Sequence, residues 1–171
     1  MQSDLRKIRA AIAIVIAGLL LSGLTAFPIE RELNWLTAGI PADAQGLKGW
    51  LLHVRQGMTM TYAHYPWIAY GTDWLAFAHI MLAILFIGPW RDPVRNIWVV
   101  EFGLLACAGV LPLALFCGPI RGIPFYWQLV DCSFGLIAFV PLWLARSLIL
   151  RVSNVAVLEQ SHKDHPAYRV S

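Results

Sequence analysis

A chain of 171 residues that is 58% hydrophobic and 13% charged, with a mean hydropathy of +0.62, is too apolar for an ordinary soluble domain. Its formal charge of +3 comes from basic residues at the ends of apolar runs, not from a basic stripe, which speaks against nucleic-acid binding. Cys107, Cys117 and Cys132 show neither a C-x-x-C pair nor zinc spacing, so no redox motif or structural metal is signalled.

The first apolar run, residues 8–27, follows the basic opening "MQSDLRKIR" in the manner of a secretory signal. It is longer than the roughly 7–15 residues of a signal core, and "LTA" before Phe27 is a poor cleavage site, so an uncleaved first span is expected. Residues 28–68 are too many for a plain turn. Glu30, Arg31 and Glu32 before Trp35 predict a short helical turn. Leu47, Leu51, Val54, Met58 and Tyr62 recur at helical spacing, with Lys48, Arg55 and Gln56 off the stripe, predicting an amphipathic helix over 43–64. Within it His53 and His64 lie about 16 Å apart along the axis, too far to share a metal. Both are candidate contributors to a site, and the segment reads as a cap or a lid.

The second run, residues 69–90, carries Asp73 and His79; the third, 97–117, carries Glu101 and Pro112; the fourth, 124–150, carries Gln128 and Asp131. Each reaches the ~20 residues needed to span hydrocarbon as a helix. Between them stand "GPWRDPVRN" and "GPIRGIP", in which Gly and Pro are expected to stop one helix and a second Pro to help start the next. Arg91 and Arg121 then follow helix C-termini, where a cation is favoured. Residues 153–171 read as a short, loosely ordered tail, in which His162, Asp164 and His165 have only a weak metal-binding spacing.

Ionisable groups at membrane depth cost at least ~2.5 kcal/mol and mark a site by default. Asp73 in "GTDW" has the pattern of a helix cap. Glu101 is explained by Arg91 or Arg95 reaching across the inner turn, or by staying protonated. Gln128, Asp131, Gly135 and Ala138 share one face of the fourth span, which should turn Asp131 inward. His79 and Asp131 sit about 14 Å and 10 Å below the same end of their spans, so a coupled pair is expected if the two helices face each other. Pro112 predicts a kink that frees the carbonyl of Ala108.

Orientation follows from the 13 Lys and Arg residues. With the N-terminus inside, Arg6, Lys7, Arg9, Arg91, Arg95, Arg146, Arg151, Lys163 and Arg169 are cytoplasmic, against Arg31, Lys48, Arg55 and Arg121 outside. Trp67, Trp74 and Trp127 then fall at outer ends and Trp90, Trp98 and Trp143 at inner ends, as interfacial belts should.

The expectation is an all-α, four-span antiparallel bundle (residues 1–152) in a bacterial inner membrane, with an amphipathic helix in its first extracytoplasmic loop and a cytoplasmic tail. No reaction motif is present, so a non-catalytic accessory, sensing or small-solute-handling module is expected, its polar site in the outer half of the bundle. Beyond the bilayer, a membrane-protein partner or a second copy is the expected company. The alternative is a redox protein holding haem or quinone through His79. Haem would need a second axial ligand, for which only His64, Cys107 or Cys132 come into question. No cofactor is signalled directly.

Overall fold

The structure, a computed structural model, describes residues 2–164, with side chains to residue 155. His165 and the side chains of His162 and Asp164 lie outside the described residues. In chain order come α1 (Gln2–Ala26), α2 (Ile29–Leu36), α3 (Gly46–His64), a 3₁₀ turn (Pro66–Ile68), α4 (Ala69–Leu85), α5 (Ile87–Arg91) and α6 (Ile97–Pro112). A π-helical turn (Leu113–Cys117), α7 (Gly118–Ile120) and α8 (Phe125–Asp164) complete the order. No strand occurs among the described residues. Among the described residues four helical runs are long and apolar enough to cross a membrane: Gln2–Ala26, Pro66–Arg91, Ile97–Ile120 and Phe125–Val155. They coincide with the four expected spans because continuous apolar composition and helical backbone satisfaction are the same requirement in hydrocarbon.

The chain forms two compact units. The first comprises the residues to Ile16 and those from Leu85 onward. Its core takes Ile8, Ala11, Ile12 and Val15 from α1, Val99, Val100 and Leu104 from α6, and Leu142, Ala145, Leu148 and Ile149 from α8. The α1 positions follow an i, i+3, i+4, i+7 stripe. Arg9 is held in this unit by its Nε–H, which donates to the Trp90 carbonyl at 3.2 Å, and by its guanidinium, 5.9 Å from the centre of the Trp90 ring.

Helices α6 and α8 run antiparallel, since their contacts pair rising numbers with falling ones: Glu101 with Arg146, Gly103 with Leu142, Cys107 with Gly135. The approach is close. A methyl added at Gly135 would sit 2.9 Å from the Cys107 carbonyl oxygen, and one at Gly103 would sit 3.0 Å from Leu142 Cδ1.

Both Gly-Pro pairs differ from expectation. Gly88 and Pro89 lie inside α5, and Gly118 and Pro119 open α7, because proline is tolerated in the first turn of a helix. The helices end later. Gly122, at φ 69°, makes the left-handed turn into α8 that a side-chain-bearing residue resists. At the other turn Asp92 Oδ1 accepts from the Arg95 N–H at 3.1 Å, and the Asn96 amide donates to the carbonyls of Asp92 and Gly88. The expected disturbance at Pro112 takes the form of the π-helical turn that follows it. The tail also differs: α8 continues through Asp164 with no break at the end of the apolar run.

The second unit, Ala17–Ile84, contains α2, α3 and most of α4. The expected helices appear at Ile29–Leu36 and Gly46–His64. Helices α2 and α3 pack together, and Arg55 donates to Thr37 Oγ1 at 3.1 Å, while the buried Thr37 hydroxyl donates to the Leu33 carbonyl at 2.6 Å. Arg55 is therefore half-buried rather than turned to solvent. Leu51, Val54, Met58 and Tyr62 are half-buried, but Leu47 is exposed and no residue of α3 is fully buried. The expected stripe is thus only partly covered.

Candidate functional site

The joint between α1 and α2, the end of α3 and the first two turns of α4 enclose a cleft of about 180 Å³. Phe27, Ile29, Glu30 and Arg31 form one wall, Tyr62 a second, and Ala69, Thr72 and Asp73 a third. Pro28 breaks the continuity of α1 and sets the entry to α2; it provides no side-chain cap and, as proline, no N–H. The Tyr62 and Thr72 hydroxyls are hydrogen-bonded at 3.1 Å and tie α3 to α4. Below the cleft, α1 approaches α4 closely, and a methyl at Gly23 would sit 2.9 Å from the Ala76 carbonyl oxygen.

Asp73 is not a helix cap. Helix α4 begins at Ala69 and is continuous with the turn started by Pro66, so Asp73 stands in its second turn, and no acidic residue occupies the first. The "GTDW" pattern misleads because Pro66 starts the helical run five residues before Gly71. The half-buried Asp73 carboxylate instead walls the cleft beside Glu30 and Arg31. Among the described residues no hydrogen bond or ion pair engages the side chains of Glu30, Arg31 or Asp73.

The other expected site residues fall in several places. Glu101 is paired, but with Arg146 of α8 at 2.9 Å rather than with Arg91 or Arg95 across the turn, because the antiparallel register of α6 and α8 sets the two side by side. Gln128 is buried, and its Nε2 donates to the Ile123 carbonyl at 2.8 Å while its side chain lies against Gly118, so it closes the α7–α8 turn. Asp131 is half-buried, and among the described residues no hydrogen bond or ion pair engages its carboxylate. His79 is half-buried on α4, and its Nδ1–H donates to the Leu75 carbonyl at 2.8 Å. A carbonyl only accepts, so a proton sits on Nδ1, and in the neutral ring the lone pair is then on Nε2. His79 and Asp131 belong to different units.

His64 has the same arrangement, its Nδ1–H donating to the Met60 carbonyl at 2.9 Å, and is exposed. His53 is exposed with its ring 5.6 Å from that of Trp50. No group of three His, Cys, Asp or Glu among the described residues is placed to hold a metal ion.

Sequence reasoning singled out Asp73 but missed Arg31, Tyr62 and Thr72 as its neighbours. The only signal was Tyr62 at the end of the α3 stripe, since the neighbourhood is made by the chain reversal between α1 and α3. Comparisons with protein families, curated proteins and solved structures find no match for this chain.

Proposed function

We propose that this chain is a four-span protein of the bacterial inner membrane, with antiparallel spans and both termini cytoplasmic, whose residues 28–68 form an extracytoplasmic cap. The cap and the outer ends of the first two spans present a small polar binding site. The molecule acts as a non-catalytic accessory, sensing or small-solute-handling module, alone or with a membrane-protein partner or second copy. The division of Lys and Arg supports the orientation. Side chains such as Leu105 and Phe116, each 72% exposed, and Ile137, 69% exposed, support an apolar surrounding.

The observation that carries the functional reading is the cleft itself. Three charged side chains, Glu30, Arg31 and Asp73, line one concavity of about 180 Å³ without an intramolecular partner among the described residues. Charges of both signs gathered in one concavity and left without intramolecular partners are available to a ligand. The volume lies below the roughly 300–1,000 Å³ of drug-sized pockets and suits a small polar group.

A second reading rests on His79, whose tied Nδ1 and available Nε2 are the arrangement of a ligand histidine, and it assigns the protein to haem or quinone redox chemistry. The test is purification of the full chain in mild detergent, followed by a visible absorption spectrum and native mass spectrometry, with Thr72→Trp filling the cleft. The expected result is a colourless protein carrying a small molecule that Thr72→Trp expels. A Soret band lost in His79→Gln establishes the redox reading in its place.

A further inference from the structure

The cleft carries both signs of charge. Glu30 and Asp73 contribute carboxylates and Arg31 a guanidinium. Helix α2 starts in the cleft wall at Ile29 without a side-chain cap, and its first turn carries Glu30 and Glu32, which answer the positive end of the helix, so Arg31 is the cleft's anion-attracting group. Asp73, released from a capping role by its place in the second turn of α4, is available to a cation. Phe27, half exposed at the end of α1, and Ile29 give the same concavity an apolar edge. A simple cation leaves Arg31 opposed, and a simple anion leaves the two carboxylates opposed; a zwitterion answers both.

We infer that the cleft binds a phosphoethanolamine group, its phosphate toward Arg31 and its primary ammonium toward Asp73 and Glu30. The inference rests on the reading of the cleft as the binding site at the outer membrane surface. A primary ammonium offers three N–H donors to carboxylates, whereas the quaternary ammonium of phosphocholine offers none, so the site discriminates between the two. At the end of the first span such a group is supplied either by the headgroup of phosphatidylethanolamine or by a water-soluble ester such as glycerophosphoethanolamine.

The test uses the full chain in detergent micelles containing equal amounts of phosphatidylethanolamine and phosphatidylcholine, with bound lipid read by native mass spectrometry. In parallel, tryptophan fluorescence follows titration with glycerophosphoethanolamine and glycerophosphocholine. The ethanolamine form is expected to be preferred by about tenfold or more, the scale of one charge-assisted hydrogen bond. Asp73→Asn should bring that preference close to unity, Asp73→Glu should restore most of it, and Arg31→Gln should weaken both forms in parallel. Retention of the lipid alone identifies the membrane as the source, and saturation by the soluble ester identifies a solute; either supports the inference.

Equal binding of the two forms, binding of neither, or a preference that Asp73→Asn leaves intact overturns it. Thr72→Trp separates the two levels of the account. If it expels a bound molecule of another class, the ligand assignment falls and the cleft stands. If it leaves every bound species in place, the cleft falls as well.

Discussion

Replacing Gly135 by alanine tests the close approach of α6 and α8. The added methyl would meet the Cys107 carbonyl oxygen at 2.9 Å and the Val110 Cβ at 3.3 Å. The first of these is backbone and cannot swing aside as the tip of a side chain does, so the helices must separate or bend. Overpacking of this kind costs about 1–3 kcal/mol. Alanine also gains about 1 kcal/mol of helix propensity over glycine, which obscures the clash if Gly135→Ala is measured by itself. Gly109, in the same helical hairpin, has nothing within 4 Å of its added methyl and supplies the control. The propensity gain is common to both variants, so Gly109→Ala should exceed Gly135→Ala in stability by about 1–3 kcal/mol. For a protein of this size the difference corresponds to roughly 2–12 °C in Tm. Thermal unfolding of the two variants in one detergent, followed by near-ultraviolet circular dichroism, reads it directly. Equal melting temperatures, or a more stable Gly135→Ala, refute the packing argument.

Two further couplings are open to double-mutant cycles. Glu101 and Arg146 are paired at 2.9 Å with side chains 45% and 34% exposed, so Glu101→Gln combined with Arg146→Gln should show a coupling of roughly 0.2–1 kcal/mol that shrinks in high salt; strict additivity contradicts it. His79 and Asp131 have no side-chain partner among the described residues, and the coupling expected from the sequence is about 0.6 kcal/mol and at most about 1.7. Stability losses of His79→Gln and Asp131→Asn that simply add remove that pairing.

The four long apolar helices were legible because a run of about twenty apolar residues can satisfy its backbone in an apolar surrounding only as a helix, and their place follows. Helix α3 was legible from Leu51, Val54, Met58 and Tyr62, although its start at Gly46 comes three residues later than the expected Asp43. Three local readings failed for related reasons. The Gly-Pro pairs were read as stops, although Pro89 and Pro119 fall in first turns that accept proline. Asp73 was read as a cap, although Pro66 starts the helical run upstream. Glu101 was assigned a partner near in sequence, while its actual partner, Arg146, is brought to it by tertiary register. The cleft was the least legible feature. Glu30 and Asp73 are separated by the whole of α3, and only the fold of the 28–68 segment sets them in one wall. The face of Gln128, Asp131 and Gly135 was read as a helix-packing surface, and Gln128 and Gly135 are indeed buried against α7 and α6. Nothing in the sequence distinguished Gln128, spent on the Ile123 carbonyl, from Asp131, which has no such partner.

In the proposed orientation the segment carrying the cleft faces the outside of the cell while the chain ends face the cytoplasm. Single cysteines introduced as Lys48→Cys and Arg169→Cys, in a chain with Cys107, Cys117 and Cys132 replaced by serine, measure this when intact cells are treated with a membrane-impermeant maleimide. Position 48 should be labelled in intact cells and position 169 only after the membrane is broken. Labelling of position 169 in intact cells, with position 48 protected, contradicts it.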